Sequence, residues 1–282
     1  MTRARINGRP ASAIPADDRG LLYGDGLFET VAFHRGRSVL WPLHMERLAE
    51  GCRRLGLPMP DPDRLHEEAL EVIDGEAHAA VRITLTRGSG GRAYRPPTEA
   101  EPNRIVAARA LPADLEQQRS DGIAMITAPF RLPTQALLHV PATEAGVDPL
   151  AGMKHLNRLP QVLIGAACRD AGVEEALVLD QANRLVEALA GNLVIERKGR
   201  LVAPGPHPWA VAGVGLAWLR REAGAELDER PFGRAELEPG DAIWVLNSVQ
   251  GIRPVVRLDG EAREPGRTLH DWQRRWVELV ET

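Results

Sequence analysis

The stretch Pro133–Leu150, PTQALLHVPATEAGVDPL, constrains the fold more than any other segment. It carries three prolines and has neither a helical nor a strand period, so it interrupts the regular pattern on both sides. A connection of this length in a compact protein is usually a functional lid or a linker. A chain of 282 residues also has ample length for two cores. The pattern therefore predicts a small N-terminal domain of residues 1–132, an interdomain loop of residues 133–150 and a larger C-terminal domain of residues 151–282.

Both halves mix helical and strand patterns. Between Pro42 and Leu55, for example, the apolar residues recur on one face, and Gly56 ends the pattern. The predicted strands cover residues 21–35, 79–86, 104–110, 122–128 and 242–246, with a meander of short strands over 175–205. The predicted helices cover residues 42–55, 63–73, 157–171 and 213–223. The fold class predicted from these elements is α+β.

Composition excludes several classes of protein. A formal charge of −4 and a pI near 6.1 argue against a nucleic-acid binder and against an anionic membrane surface. The two cysteines cannot form a disulfide framework and have no metal-ligand spacing, so no metal site is predicted. The first twenty residues lack the apolar core of a signal peptide, and no apolar run is long enough to span a membrane. We expect a cytoplasmic enzyme or binding protein.

Lysine is almost absent from the chain. Only Lys154 and Lys198 are lysines among 35 cationic side chains, so arginine supplies nearly all positive charge. Lys198 lies in a charged turn, ERKGR, where a solvated lysine is ordinary. Lys154 lies just before a predicted helix, where a cation is disfavoured by the helix dipole. Either Lys154 is a surface lysine, or it supplies a primary amine that forms an imine with a carbonyl compound.

Four further segments carry polar groups that could bind a ligand. The loop TRGSGGRAY, residues 86–94, is followed by prolines rather than a helix, which excludes a dinucleotide fingerprint and leaves arginines suited to a carboxylate. Glu187 lies in an apolar strand, where it either faces outward or needs a cationic or proton-donating partner. The turn before residues 214–223 offers backbone N–H groups to an anion, and Asn247 and Ser248 end a buried strand.

Together these motifs resemble the fold-type IV pyridoxal-phosphate enzymes, the class IV aminotransferase family. The matching segments occur in the family's order and span most of the chain: DDRGLLYGDGLFET (17–30), HMERL (44–48), TRGSGGRAY (86–94), GMKHLNRLPQVL (152–163), EALVLD with VEALAGNLV (175–194) and LNSVQGIRPV (246–255). Within the family they are most similar to the 4-amino-4-deoxychorismate lyases. The resemblance implies the two-domain fold-type IV architecture and a homodimer whose partner subunit completes the site.

The resemblance also implies roles for individual residues. Lys154 would be the Schiff-base lysine, and Glu187 would pair with the pyridine nitrogen of pyridoxal 5'-phosphate. The remaining cofactor contacts, all to the phosphate, would come from Arg47, Val214, Gly215 and Ser248. Thr30 would assist Lys154 in catalysis. Substrate contacts would come from Phe28, Arg92, Tyr94 and Asn247.

Three functions remain open at this point. The first is a lyase that converts 4-amino-4-deoxychorismate to 4-aminobenzoate and pyruvate for folate synthesis. The second is a D-amino-acid or related transaminase, which would share Lys154, Glu187 and Arg47. The third is a non-catalytic phosphate-binding protein with the same fold. The long loop of residues 133–150 borders the substrate pocket in the family, so its length bears on the choice of substrate.

Overall fold

The computed structural model describes residues 3–11, 13–134 and 150–281 of the chain. The predicted interdomain loop, residues 133–150, lies outside these ranges except for residues 133, 134 and 150. Within them, no helix combines the length and the apolar character needed to cross a membrane.

The chain forms two compact units. Unit 1 comprises Met1–Ala113 and Met153–Arg158, and unit 2 comprises Asp114–Gly152 and Leu159–Thr282. These bounds differ from the predicted ones at both ends of the loop. The strand following residue 122 belongs to unit 2, because it pairs with strands of that unit. The segment of Lys154 belongs to unit 1, because its backbone pairs with the strand Gly26–His34 there.

Unit 1 is a sheet covered by helices. Its elements are, in chain order, β1 (Ala4–Ile6), β2 (Arg9–Pro10), α1 (Arg19–Tyr23), β3 (Gly26–His34), α2 (Trp41–Leu55), α3 (Pro62–Ile73), β4 (His78–Thr86) and β5 (Asn103–Arg109). Among the described residues the sheet has five antiparallel strands in the order β2-β1-β5-β4-β3. Helix α2 packs against β3, and α3 packs against β5. Val81, Ile83 and Leu85 of β4 are fully buried, whereas Arg82 and Thr84 between them are only partly buried. The two faces of β4 thus differ in polarity.

The predicted strand over residues 21–35 was wrong in its first part, which is helix α1. Asp18 begins this helix, since its Oδ1 accepts hydrogen bonds from the backbone N–H groups of Gly20 (2.8 Å) and Leu21 (3.3 Å). Gly24 ends it in the left-handed conformation, with φ 64°. The apolar side chains of Leu21 and Leu22 suggested a buried strand, but in the structure they are 65% and 52% exposed.

The described residues of unit 2 form a larger sheet and four α-helices. Its elements are α4 (Leu115–Asp121), β6 (Ile123–Thr127), α5 (Leu159–Ala171), β7 (Glu175–Leu179), β8 (Leu185–Ala188), β9 (Asn192–Arg197), β10 (Arg200–Pro204), α6 (Val214–Ala223), β11 (Leu227–Arg230), β12 (Ala242–Asn247), β13 (Gly251–Leu258), β14 (Glu261–Ala262) and α7 (Thr268–Glu281). Short 3₁₀ turns cover Gly224–Glu226 and Arg234–Glu236. Within the described ranges the strand order is β11-β10-β9-β12-β13-β6-β7-β8, with β14 on β13.

Parallel and antiparallel pairs are mixed in this sheet. Strand β6 is parallel to both β13 and β7, and β10 is parallel to β11, while the other pairs are antiparallel. Ile164 and Cys168 of α5 pack on Ala176 and Val178 of β7. This burial holds α5, which follows the lysine segment in sequence, against the strand next to β8.

Candidate active site

Lys154 is held by backbone pairing to β3 in unit 1. Phe28 donates its backbone N–H to the carbonyl of Lys154 at 2.9 Å, and Leu156 donates to the carbonyl of Gly26 at 3.0 Å. The Nζ of Lys154 lies 4.5 Å from the centroid of the Phe28 ring. An ammonium over an aromatic face is attracted by the ring quadrupole. The predicted amine and the predicted substrate-side residue Phe28 are therefore neighbours.

Arg47 is anchored by a buried carboxylate that the sequence analysis did not single out. Its Nε donates to Glu29 Oε1 at 2.8 Å, and Glu29 is 1% exposed. His44, also buried, donates Nδ1–H to Glu29 Oε2 at 2.7 Å. Burial alone would raise the pKa of Glu29, but the charge and hydrogen bond of Arg47 and the His44 contact outweigh it and lower that pKa to about 2. Glu29 thus stays ionised and orients the guanidinium predicted to hold the phosphate.

Arg82 is a second residue that the sequence analysis missed. It lies on β4 directly opposite Thr30, and its guanidinium carbon is 3.9 Å from the centroid of the Phe28 ring. Burial, and then the charge of Arg109, lower the pKa of Arg82. None of the carboxylates in the described ranges forms an ion pair with it. A half-buried guanidinium without an acidic partner is a ready receptor for a carboxylate ligand.

The glycine loop of residues 86–94 presents the side chains of Arg92 and Tyr94 outward. Arg92 is exposed, and Tyr94 is 84% exposed. Arg87, by contrast, is buried, and its guanidinium donates to Asp25 Oδ2 at 2.8 Å and to the carbonyl of Leu55 at 2.9 Å. Arg87 is therefore a structural residue, while Arg92 and Tyr94 remain available to a ligand.

Glu187 lies in unit 2 on β8, all four residues of which are buried. Its exposed fraction is 5%, so the outward-facing alternative is wrong. Val211 donates its backbone N–H to Oε2 at 2.9 Å, and Gln161 of α5 donates Nε2–H to Oε1 at 3.4 Å. Val211 belongs to a short segment, residues 210–212, that also pairs with the backbone of Gly152, two residues before Lys154.

The N-terminus of α6 carries the predicted phosphate-binding residues Val214 and Gly215. No side chain in the described ranges caps this helix, whose first residue follows Gly213. The N–H groups of a helix's first turn have no partner within the helix, so this turn suits an anion. A Cβ on Gly213 would lie 1.8 Å from Asn192 Oδ1, and one on Gly215 would lie 3.1 Å from Leu246. Both positions favour glycine, because the backbone at the start of α6 lies close to Asn192 and Leu246 and leaves little room for a side chain.

Asn247 has a different role from the predicted substrate contact. Its Nδ2 donates to the carbonyl of Ala190 at 3.0 Å and to Gln250 Oε1 at 2.8 Å. Its Oδ1 accepts the backbone N–H groups of Val249 and Gln250. An amide has two donor and two acceptor positions, and all four are used here. Asn247 therefore shapes the turn that carries Ser248 and has no hydrogen-bonding capacity left for a substrate.

Comparison with known proteins agrees with this arrangement. A model of the amino-transferase class IV family matches residues 26–258. The chain belongs to this family. It is 38% identical to the 4-amino-4-deoxychorismate lyase of Pseudomonas aeruginosa, whose crystal structure superimposes with a TM-score of 0.87 over 99% of this chain and 100% of that one.

Two curated relatives match most of the chain. The aminodeoxychorismate lyase of Vibrio harveyi is 30% identical over 254 residues, covering 89% of each protein. The bifunctional aminodeoxychorismate lyase / D-amino acid transaminase of Mycobacterium tuberculosis is 28% identical over 262 residues, covering 87% of this chain and 86% of the relative. The predicted fold-type IV resemblance and the α+β class are confirmed.

Class IV aminotransferases use pyridoxal phosphate, and the residues of this member fit that cofactor. Unit 1 supplies an amine over Phe28 and a guanidinium fixed by Glu29. Unit 2 supplies a buried carboxylate bonded to neutral N–H donors and an uncapped helix start with glycine at the close approach. In the described ranges, Gln161 Oε1, beside Glu187, is buried without a hydrogen-bond partner. A buried acceptor of this kind is expected beside a site that binds a polar ligand. Each unit by itself therefore offers groups of the chemical kinds that bind this cofactor: Lys154 and Arg47 in unit 1, and Glu187 and the α6 turn in unit 2.

Proposed function

We propose that this chain is a pyridoxal-phosphate-dependent lyase that converts 4-amino-4-deoxychorismate to 4-aminobenzoate and pyruvate. The observation that carries the proposal is the pair of cationic groups on one aromatic ring: the Lys154 amine and the Arg82 guanidinium, which pairs with no carboxylate of the described residues, both contact Phe28. The pair matches a substrate whose reacting carbon lies near a carboxylate. The full-length similarity to two lyases supports the same reaction.

Lys154 performs the proton transfers in this proposal. Bound pyridoxal phosphate withdraws electron density from the carbon next to the substrate nitrogen. Lys154 removes the proton from that ring carbon, and the carbon–oxygen bond to the enolpyruvyl group breaks. The same proton, returned by Lys154 or through Thr30, reaches the methylene carbon of the departing group, which becomes the methyl group of pyruvate. Atoms balance without water, and the ring becomes aromatic.

The remaining residues bind and orient. Glu187, held by Val211 and Gln161, keeps the pyridine nitrogen protonated, because a buried carboxylate strongly favours a cationic partner. Arg47 and the turn at Val214 bind the phosphate. Arg82 binds one substrate carboxylate.

Arg92 and Tyr94 bind another carboxylate. Their exposure agrees with a role at a site that a second subunit completes.

A transaminase activity toward D-amino acids is the second candidate. It is favoured by the similarity to the Mycobacterium tuberculosis protein, whose name includes both activities. Lys154 and Glu187 would serve both reactions unchanged. The two activities differ in whether the substrate loses a side chain or exchanges its amino group.

Assembly and location extend the proposal. We infer a homodimer, supported by the exposed apolar side chains of Leu21 and Leu22 next to the loop of Tyr94. We also infer a cytoplasmic role in folate synthesis, in accord with two buried cysteines that form no disulfide. Light scattering at several protein concentrations tests the dimer.

Product analysis tests the reaction. Protein loaded with pyridoxal phosphate is incubated with enzymatically generated 4-amino-4-deoxychorismate, and 4-aminobenzoate and pyruvate are measured. We expect equal amounts of both products from the wild type and a loss of at least about 10³-fold in Lys154→Ala. If no product forms and D-alanine instead converts the cofactor to its amine form, the protein is a transaminase.

A further inference from the structure

Arg19, at the start of α1, is a buried arginine to which the proposed reaction assigns no role. Its side chain is 4% exposed. Nε donates to Asp25 Oδ2 at 3.0 Å. The two terminal nitrogens donate to three backbone carbonyls of one loop: Ala93 at 2.9 Å, Gly90 at 3.3 Å and Tyr94 at 3.4 Å.

The loop that Arg19 binds has a strained path. Gly90 and Gly91 have φ of 103° and 79°, and Ala93, which has a side chain, has φ of 50°. Arg92 and Arg95 close the loop through two reciprocal backbone hydrogen bonds of 3.0 Å. With its carbonyls directed toward the buried guanidinium, the loop leaves the side chains of Arg92 and Tyr94 exposed.

A second contact links Arg19 to the same loop. Its guanidinium carbon lies 4.8 Å from the centroid of the Tyr23 ring. The Tyr23 ring in turn meets the Tyr94 ring edge-on, with centroids 5.5 Å apart. Edge-to-face packing of this kind is a favourable aromatic geometry. Arg19 therefore contacts Tyr94 directly at the Tyr94 carbonyl and indirectly through the Tyr23 ring, which packs against the Tyr94 ring.

We propose that Arg19 is a positioning residue that presets the loop carrying Arg92 and Tyr94 for a substrate carboxylate. The proposal rests on the proposed function, in which those two side chains bind substrate. A guanidinium is required, because its planar fork of five donors spans three carbonyls and a carboxylate, whereas an ammonium has three donors at one point.

Arg87 provides a matched control. It is also buried, and it also donates to Asp25 Oδ2, at 2.8 Å. Its other donors reach the carbonyls of Leu55 and Gly56, at the C-terminal end of α2, and not those of Gly90, Ala93 and Tyr94. Arg19→Lys and Arg87→Lys therefore remove comparable hydrogen bonds around one aspartate, and only the first releases the loop.

Steady-state kinetics and hydrogen exchange test the proposal together. For Arg19→Lys we expect KM for 4-amino-4-deoxychorismate to rise about tenfold, the equivalent of one lost charged hydrogen bond, with kcat within about threefold of wild type. Backbone amides between Gly90 and Tyr94 should exchange faster in the loaded enzyme without substrate. Arg87→Lys should change neither quantity. An equal rise of KM in both variants would overturn the proposal.

A double-mutant cycle separates positioning from general destabilisation. If Arg19 acts through Arg92, Arg19→Lys adds little to the KM of an Arg92→Ala protein, so the two effects are not additive. Full additivity would contradict the proposal. If the wild type releases no 4-aminobenzoate, the proposed lyase function is wrong. The same double-mutant cycle is then measured on the KM for D-alanine. Faster exchange without a KM effect in whichever reaction the wild type catalyses would reject the positioning role.

Discussion

The two units offer ligand-binding groups of different kinds. In unit 1 the candidate groups are cationic side chains: Lys154 and Arg82 on the Phe28 ring, and Arg47 fixed by the buried Glu29. In unit 2 they are the first-turn N–H groups of α6 and one carboxylate, Glu187, with N–H donors from a backbone and an amide. The candidate groups of unit 1 bind a ligand through cationic side chains. Those of unit 2 combine one carboxylate with N–H groups that the path of the backbone places.

This difference determines which substitutions are informative. A cationic side chain can be removed without disturbing its neighbours only where no carboxylate depends on it. A backbone N–H cannot be removed by substitution. Its role is therefore tested by substituting the glycines whose small size lets the backbone lie where it does. The following predictions run from the largest expected effect to the smallest.

Glu187→Gln should have the largest effect of the four, since Glu187 is the one charged site residue of unit 2. A neutral amide does not hold the pyridine nitrogen protonated, so we expect product formation to fall about 10²-fold or more. Pyridoxal phosphate should remain bound within about tenfold of the wild-type Kd. Glu196→Gln is the control, because that buried carboxylate of β9 accepts backbone N–H groups of Arg267 and Thr268 and is not one of the candidate site residues. Retention of a tenth of the activity in Glu187→Gln would show that unit 2 needs no charge.

Arg82→Met should raise KM for 4-amino-4-deoxychorismate about 10- to 100-fold, because a charged hydrogen bond contributes about 1.5–3 kcal/mol. Stability should change little, since no described carboxylate pairs with Arg82. Arg104→Met is the opposite case. It would leave the buried Glu68 with only its 3.3 Å ion pair to Arg64, and should lower the free energy of unfolding by about 1.5–3 kcal/mol without a KM effect. An unchanged KM in Arg82→Met would remove Arg82 from the substrate site.

Gly215→Ala should raise the Kd of pyridoxal phosphate about tenfold. The added Cβ would lie 3.1 Å from Leu246 and 3.3 Å from the backbone of Asn247, so the first turn of α6 must shift. Gly240→Ala, in the same unit, adds a Cβ with nothing within 4 Å and should leave Kd unchanged. The measurement is a spectroscopic titration of the apo proteins. Equal Kd values in all three proteins would refute the role of this backbone approach.

The smallest effect concerns His155, next to Lys154 in unit 1. Burial, and then the charge of Arg158, lower its pKa to about 4. The unfolded chain binds this proton near pH 6.5, so the unfolded state holds more protons between pH 6.5 and 4. The free energy of unfolding therefore falls as pH is lowered through this window, by about 1 kcal/mol between pH 7.5 and 6. Urea denaturation of the apo protein should show this slope, and His155→Gln should lack it. The same slope in both proteins would assign it to another group.

Local sequence predicted the elements whose patterns are complete in themselves. Helices α2 and α3, strands β4 to β6, the meander of β7 to β10 and the start of α6 were all predicted close to their observed bounds, because apolar period and glycine signals lie within each segment. Strand β13 was not predicted. Its apolar run is interrupted by Arg253 and Pro254, and the buried Arg253 donates to Glu175 on β7 at 2.7 Å and to Gln118 on α4 at 2.8 Å.

The sequence by itself determined the family and singled out the candidate reacting groups. A lysine in a chain that otherwise uses arginine, a glutamate in an apolar strand and a glycine turn before a helix are chemical signals that do not depend on neighbours. Only the tertiary structure decided which polar side chains are already engaged. Arg82 and Arg87 are close in sequence, but Arg87 donates to Asp25 and to the carbonyl of Leu55, whereas no carboxylate among the described residues pairs with Arg82. Whether a donor is occupied depends on contacts between segments far apart in sequence, and those contacts exist only once the chain has folded.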